Sequence, residues 1–158
     1  MTRATAEINS LIKAVRACFR ELRGFGDRLH ADIGVTSAMR AVMEYLAEET
    51  TATVPEIARA KNVTRQNIQV MVDALTAGGL VETRANPGHK RSSLVALTRH
   101  GRSTFSHMRD REQAALAAIA EELPSPGVNT TLKTLGAFLR LLEAENRKTS
   151  NRARGNGQ

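Results

Sequence analysis

The sequence predicts a mainly α-helical chain with one small β-hairpin, and three observations carry that prediction. Aromatic residues make up only 3% of the 158 residues and tryptophan is absent, so the core must be built from Leu, Val, Ile, Met and Ala, a mixture that favours helices. Apolar residues recur at helical spacing over long stretches on both sides of the chain's centre. Only Leu80–Arg84 and Ser93–Thr98 are short runs rich in aliphatic and β-branched residues, with the turn-forming Asn86-Pro87-Gly88 between them. A chain of this length holds about one domain.

The first helix is expected over roughly residues 5–31, where Ile8, Leu11, Ile12, Val15, Phe19, Leu22 and Leu29 trace one face and Lys13, Arg16, Arg20 and Arg23 fall largely between them. Gly24 and Gly26 each cost a helix interior ~1 kcal/mol relative to Ala, which predicts a kink or a local weakness. The segment Ile33-Gly34-Val35-Thr36 reads as a turn. Thr36 or Ser37 then caps a second helix through Leu46, striped by Met39, Val42, Met43 and Leu46.

Thr53-Val54-Pro55-Glu56 has the spacing of a capping box, with proline in the first turn where its missing N–H costs nothing. The short helix it starts holds Ile57, Ala58 and Ala60 and ends near Asn62, a residue suited to the left-handed conformation of a tight turn. Small Ala58 lets two helices cross closely, Val63 plugs the space between them, and Thr64 caps the next helix, Arg65 to about Ala77. At 100° per residue Ile68, Met71, Val72 and Leu75 share a buried side, while Gln66, Val70 and Asp73 oppose it, flanked by Asn67 and Gln69. Asn and Gln pair with adenine and Arg with guanine in the major groove, so Thr64, Arg65, Gln66, Asn67 and Gln69 are candidate DNA contacts. Asp73 would repel phosphate and is expected to point away or to pair with a basic neighbour.

Gly78-Gly79 ends that helix, and the hairpin follows with a cationic tip at His89, Lys90 and Arg91, which are candidate phosphate or minor-groove contacts. Charge gathers on the same stretch: residues 56–111 hold ten Lys/Arg against four Asp/Glu, within a formal total of +7. A basic centre in a nearly neutral frame suits a polyanion, because neutralising phosphates releases counterions. Two helices, a tight turn and a basic hairpin are the layout of a winged helix-turn-helix.

These residues resemble the MarR-type winged helix-turn-helix regulators. The resemblance rests on Ile57-Ala58 with Val63-Thr64-Arg65, on Leu75 with Gly78-Gly79-Leu80-Val81, and on the wing followed by Leu94-Val95, Leu97-Thr98 and Gly101, and it spans roughly residues 5–147. It implies a homodimer, a DNA-reading helix, a DNA-contacting wing and often a small-molecule or redox signal. Where the family commonly carries Asp-Pro-x-Asp-Arg-Arg, this chain has Asn86-Pro87-Gly88-His89-Lys90-Arg91. Both acidic positions are replaced, which predicts a more positive wing with Arg91 retained as its principal contact. A ligand crevice between dimer helices and reading head is implied, and His30, Met39, Met43, His107 and Arg111 are candidates to line it.

After Gly101 the helical pattern returns with Phe105, Met108, Ala115, Leu116, Ile119 and Leu123, stops at Pro124-Ser125-Pro126-Gly127, and resumes with Leu132, Leu135, Phe138, Leu139 and Leu142. The organisation expected is an N-terminal dimerisation helix (1–35), the winged helix-turn-helix (36–101), C-terminal dimerisation helices (102–147) and a disordered tail (148–158) within one integrated domain. Cys18 excludes an intrachain disulfide; a redox role is open to it, but Val15, Phe19 and Leu22 make it read as a small core residue. The scattered histidines lack ligand-spaced partners, so neither metal nor cofactor is expected. No nucleophile elbow, phosphate-binding glycine loop or paired carboxylates point to an enzyme. With no signal peptide or apolar run of membrane-spanning length, the cytoplasm is the expected location. The function expected is a transcriptional regulator, a repressor on a palindromic double-stranded operator as a homodimer with a small-molecule effector. The alternatives are a winged-helix protein-interaction module, or a Cys18-based redox regulator.

Overall fold

The structure is a computed structural model describing residues 2–88 and 92–155, with backbone alone for 150–155. Residues 1–113 and 114–158 form two compact units.

In the first unit, α1 (Arg3–Leu29) is capped by Thr2, whose side chain accepts the Thr5 N–H. It runs unbroken through both glycines, where the sequence predicts a kink or a weakness. Gly26 has a packing reason: a Cβ there would lie 2.7 Å from Ser37 Oγ. At this crossing the Ser37 N–H donates to Asp27 Oδ1 (2.6 Å) and Ser37 Oγ donates to the Arg23 carbonyl (2.9 Å), so the end of α1 receives the start of the next helix. A short 3-10 turn (Ala31–Ile33) closes on Gly34 at φ 71°, a left-handed position that suits glycine. Thr36 then caps α2 (Ser37–Glu49), which extends past the expected Leu46.

A three-residue strand β1 (Thr51–Thr53) precedes α3 (Val54–Lys61), and α4 (Arg65–Ala77) leads into β2 (Val81–Arg84) and β3 (Leu94–Leu97). The sheet has order β1-β3-β2, antiparallel throughout, with Thr51 opposite Ala96 and Val81 opposite Leu97. The expected two-stranded hairpin is thus the outer part of a three-stranded sheet. Thr51–Thr53 reads locally as a helix cap, and its strand character comes only from distant pairing with β3.

Inward faces of these elements make one core: Val42, Met43 and Leu46 from α2, Ile57 and Ala58 from α3, Ile68, Val72 and Leu75 from α4, Val81, Val95 and Leu97 from the sheet, and Phe105 and Met108 from α5 (Arg99–Glu122). Each fully buried aliphatic side chain contributes roughly 1.5–3 kcal/mol.

The second unit holds the end of α5 and α6 (Ser125–Gly155). Leu135 and Phe138 are half-buried, while other large apolar side chains stay exposed, Leu132 at 62% and Leu141 at 66% among them. The helix continues to Gly155, whereas composition predicts an unfolded tail from 148; Thr149 Oγ1 donates to the Glu145 carbonyl and Lys148 pairs with Glu145 on the helix surface. No helix among the described residues is long and apolar enough to cross a membrane.

Candidate nucleic-acid interface

α4 is set up by local chemistry on both sides of a tight turn. Thr53 and Glu56 form the full capping box: the Thr53 N–H and Oγ1 donate to Glu56 Oε2 (2.7 and 2.8 Å), and the Glu56 N–H donates to Thr53 Oγ1 (3.4 Å). Hydrogen bonds from the Thr53 backbone and then its side chain hold the Glu56 carboxyl below its ordinary value. α3 ends at Asn62, which takes the left-handed conformation (φ 52°, ψ 45°) while the Val63 N–H bonds the Ala58 carbonyl. Thr64 then caps α4 by accepting the Asn67 N–H at 3.2 Å.

The two faces of α4 divide as the helical geometry requires. Ile68, Val72 and Leu75 are buried and Met71 is half-buried, while Thr64, Arg65, Gln66, Asn67 and Gln69 are all exposed. Arg65 has no acidic partner among the described residues. An open groove of about 490 Å³ separates this helix from the sheet; Arg65, Gln66 and Gln69 line one wall and Thr83, Ser92 and Ser93 the other. Of the sheet-side hydroxyls, Thr83 lies on β2 and Ser92 and Ser93 lead into β3, so no local motif marks them out. Asp73 donates nothing and binds no cation among the described residues. It accepts from Gln69 Nε2 at 2.8 Å, so the basic neighbour expected for it is a neutral amide one turn back.

The C-terminal end of α4 is tied to α5 by one threonine. Thr98 Oγ1 donates to the Gly79 carbonyl (2.7 Å) and accepts the Gly101 N–H (2.8 Å), while the Thr98 N–H donates to the Leu80 carbonyl (3.1 Å). The Leu80 carbonyl lies so close to Gly101 that a Cβ there would sit 1.9 Å from it. Gly79 itself has φ 67°. The Gly78-Gly79-Leu80 and Leu97-Thr98…Gly101 patterns are therefore two halves of one joint.

In the wing, Arg84 is held by Glu82 (Nε to Oε1, 2.9 Å), and Asn86 Oδ1 accepts the Gly88 N–H at 3.0 Å, a local turn in place of an ionic anchor. His89, Lys90 and Arg91 lie outside the described residues.

The five residues suggested for a ligand crevice do not come together as one lining. Met43 is sealed in the core and Met39 packs half-buried against it; His107 is exposed. Their helical stripe was core packing. Arg111 Nη1 is held by both oxygens of Asp32 at 2.9 Å. His30 is fully buried and donates from Nε2 to Glu112 Oε1 (2.9 Å), the carboxylate that also takes Arg40 in a two-pronged pair. Burial raises the Glu112 carboxyl, but the hydrogen bonds from Arg40 and His30 outweigh it, leaving the group below its ordinary value. Arg40 also stands 5.6 Å from the Phe105 ring centroid. Cys18 is exposed, against the core reading of its surroundings, because Phe19 and Leu22 beside it are exposed as well.

Comparison with known proteins agrees with this geometry. A family model described as MarR family matches residues 33–92. The chain is 30% identical over 139 residues to the uncharacterized protein Rv2011c of Mycobacterium tuberculosis, covering 88% of this chain and 96% of that one. Among solved structures it is similar to the MarR family transcription regulator SP03579, with a TM-score of 0.82, 29% identity and coverage of 93% and 97%. It also shares its fold with a mutant MarR from E. coli complexed with operator DNA, with a TM-score of 0.76, 22% identity and coverage of 87% and 99%. The winged helix-turn-helix with its exposed polar α4 face and the Thr98–Gly101 joint is that of a MarR-family transcription regulator, and this chain is a member of that family.

Proposed function

We propose that this protein is a repressor that binds a palindromic operator as a homodimer and is released from it by a small molecule. The observation that carries the reading is the start of α4, where Thr64, Arg65, Gln66, Asn67 and Gln69 are all exposed and Arg65, Gln66 and Gln69 line an open groove. Those side chains have the hydrogen-bonding chemistry for major-groove base edges. His89, Lys90 and Arg91 extend the contact to the wing, where the sequence places the cationic tip. The operator complex of the E. coli relative supports double-stranded DNA as the partner.

Homodimerisation is supported by apolar side chains left uncovered in each unit: Val15, Phe19 and Leu22 on α1, and Leu132, Leu139 and Leu141 on α6. A two-fold dimer places two reading helices about one DNA turn, ~34 Å, apart, which is why the operator is palindromic. Release by a ligand is supported by a cleft of about 260 Å³ with Leu46, Leu97 and Phe105 along it and Arg102 and Arg109 among its lining residues. His30, Met39, Met43, His107 and Arg111 do not line that cleft.

Anisotropy titration of the chain against its own upstream DNA tests the proposal. Nanomolar, palindrome-dependent binding that weakens steeply with salt is the expected result, and weak, sequence-blind binding would replace it with a protein-interaction module. Arg91→Ala should lower affinity and make the salt slope shallower by about one. An unchanged slope removes Arg91 from the contact set.

A further inference from the structure

We infer that Asp73 is a positioning residue for base recognition: it orients the Gln69 amide so that this position of α4 selects a base presenting an amino group in the major groove, adenine first. The inference rests on the operator reading above and deepens it.

A carboxylate only accepts hydrogen bonds. The 2.8 Å contact between Gln69 and Asp73 must therefore be made through an amide N–H, because turning the amide over would set two oxygens against each other. One N–H is thereby occupied, and the amide oxygen is directed away from the carboxylate. The pair is one helical turn apart on the exposed side of α4, and Gln69 lines the groove between that helix and the sheet. Of the groups Gln69 can offer DNA, the oxygen has become the fixed one. Donating to a carboxylate also polarises the amide and strengthens its oxygen as an acceptor.

In the major groove, adenine and cytosine present amino donors, whereas guanine O6 and thymine O4 are acceptors that an amide oxygen repels. Adenine adds an N7 acceptor for the second N–H of Gln69. Asp73 has a further effect: its negative charge opposes approach of the phosphate backbone, so it lowers affinity for all DNA while sharpening choice at one position. A surface aspartate with no such role would lower affinity in the same way but leave base choice unchanged.

The test is a panel of duplexes in which every operator base pair is replaced in turn by the other three, titrated with the full-length protein, Asp73→Asn and Gln69→Ala. Asp73→Asn keeps the shape of the side chain but lets it donate or accept, so the Gln69 amide is free to turn over. The wild type is expected to prefer adenine about tenfold at one position of each half-site. Asp73→Asn should bring that preference below about twofold, leave the other positions unchanged, and tighten all duplexes by a common factor. Gln69→Ala should abolish the same preference, and the double variant should lose nothing more. In the free protein, the Gln69 side-chain amide resonances should move in Asp73→Asn.

Full retention of the adenine preference in Asp73→Asn overturns the inference, as does a uniform weakening at every position, which would mark a structural role. Unmoved Gln69 amide resonances, or a preference that survives Gln69→Ala, overturn it too. A wild type that discriminates at no base pair sinks the operator reading itself, and is recognised before any variant is compared.

Discussion

α4 and α1 carry apolar stripes of similar regularity, yet one is sealed and the other bare. Ile68, Val72 and Leu75 of α4 are at most 1% exposed, whereas α1 has no buried residue and leaves Phe19 67% and Leu22 62% exposed. The same period thus serves two different ends. In the winged helix-turn-helix the cover comes from α2, α3, the sheet and α5 of the same chain, and α2, α3 and α4 each start from a threonine cap. On α1 the stripe is left open within the chain, and the homodimer proposed above would cover it.

The strongest way to break this contrast is to open the head from inside. Gly101→Ala drives a methyl into the Leu80 carbonyl, which would be 1.9 Å away, and backbone cannot yield as a flexible side chain can. Destabilisation of about 3 kcal/mol or more is expected in urea unfolding, with the end of α4 displaced. Stability within 0.5 kcal/mol of the parent, roughly the scatter of a neutral surface change, would show that the joint is loose.

Phe19→Ala approaches from the other side. If α1 is covered by a partner, removing the ring costs the dimer about 1 kcal/mol per copy and raises its dissociation constant tenfold or more, read by sedimentation at falling concentration. The head's core touches none of this, so the monomer should melt as before. An unaltered dissociation constant would place the interface elsewhere.

Between these extremes lies the Glu112 cluster, which no local pattern announces. Glu112→Gln should cost about 1.5 kcal/mol by weakening the bonds from Arg40 and His30. Folded Glu112 holds its proton less readily than the unfolded chain does. Its stabilisation is therefore complete above the ordinary value near 4.5 and is lost as pH falls through the lower folded value. Asp27, held down by the Ser37 backbone N–H, acts in the same direction. The stability–pH slope below 4.5 should flatten in Glu112→Gln, and an unchanged slope would assign the acid response to other carboxylates.

What could be read in advance follows the range of the interaction. Thr53, Glu56, Asn62, Thr64 and the Gly78-Gly79 pair declare themselves because each acts on backbone within a few residues, and all sit where expected. β1 was missed because its partner is β3, far along the chain. Met43 was mistaken for a pocket wall and Cys18 for core for one common reason: periodicity reveals that a residue faces something apolar, but not whether that is the chain's own core or nothing within the chain. The His30–Glu112–Arg40 cluster joins three helical segments through side chains alone, so spacing carried no trace of it. The bond between Asp73 and Gln69 depends on rotamers that composition does not encode.

The smallest expected effect tests whether local closure or tertiary cover governs the head. Glu56→Ala removes the carboxylate that takes both Thr53 donors, and a lost cap of this type costs ~0.5–1 kcal/mol when exposed. Glu56→Gln should recover most of that loss, since an amide oxygen also accepts the Thr53 N–H, but it should lack any pH dependence. The wild-type box weakens only as pH falls through the depressed Glu56 value, because its stabilisation is complete above the ordinary one. Ile57 and Ala58 remain buried whichever residue stands at 56, so α3 should survive in both variants, with fraying confined to Val54 and Pro55 in hydrogen exchange. If Glu56→Ala instead released the whole of α3, then the caps, more than the shared core, would be what distinguishes the head from α1.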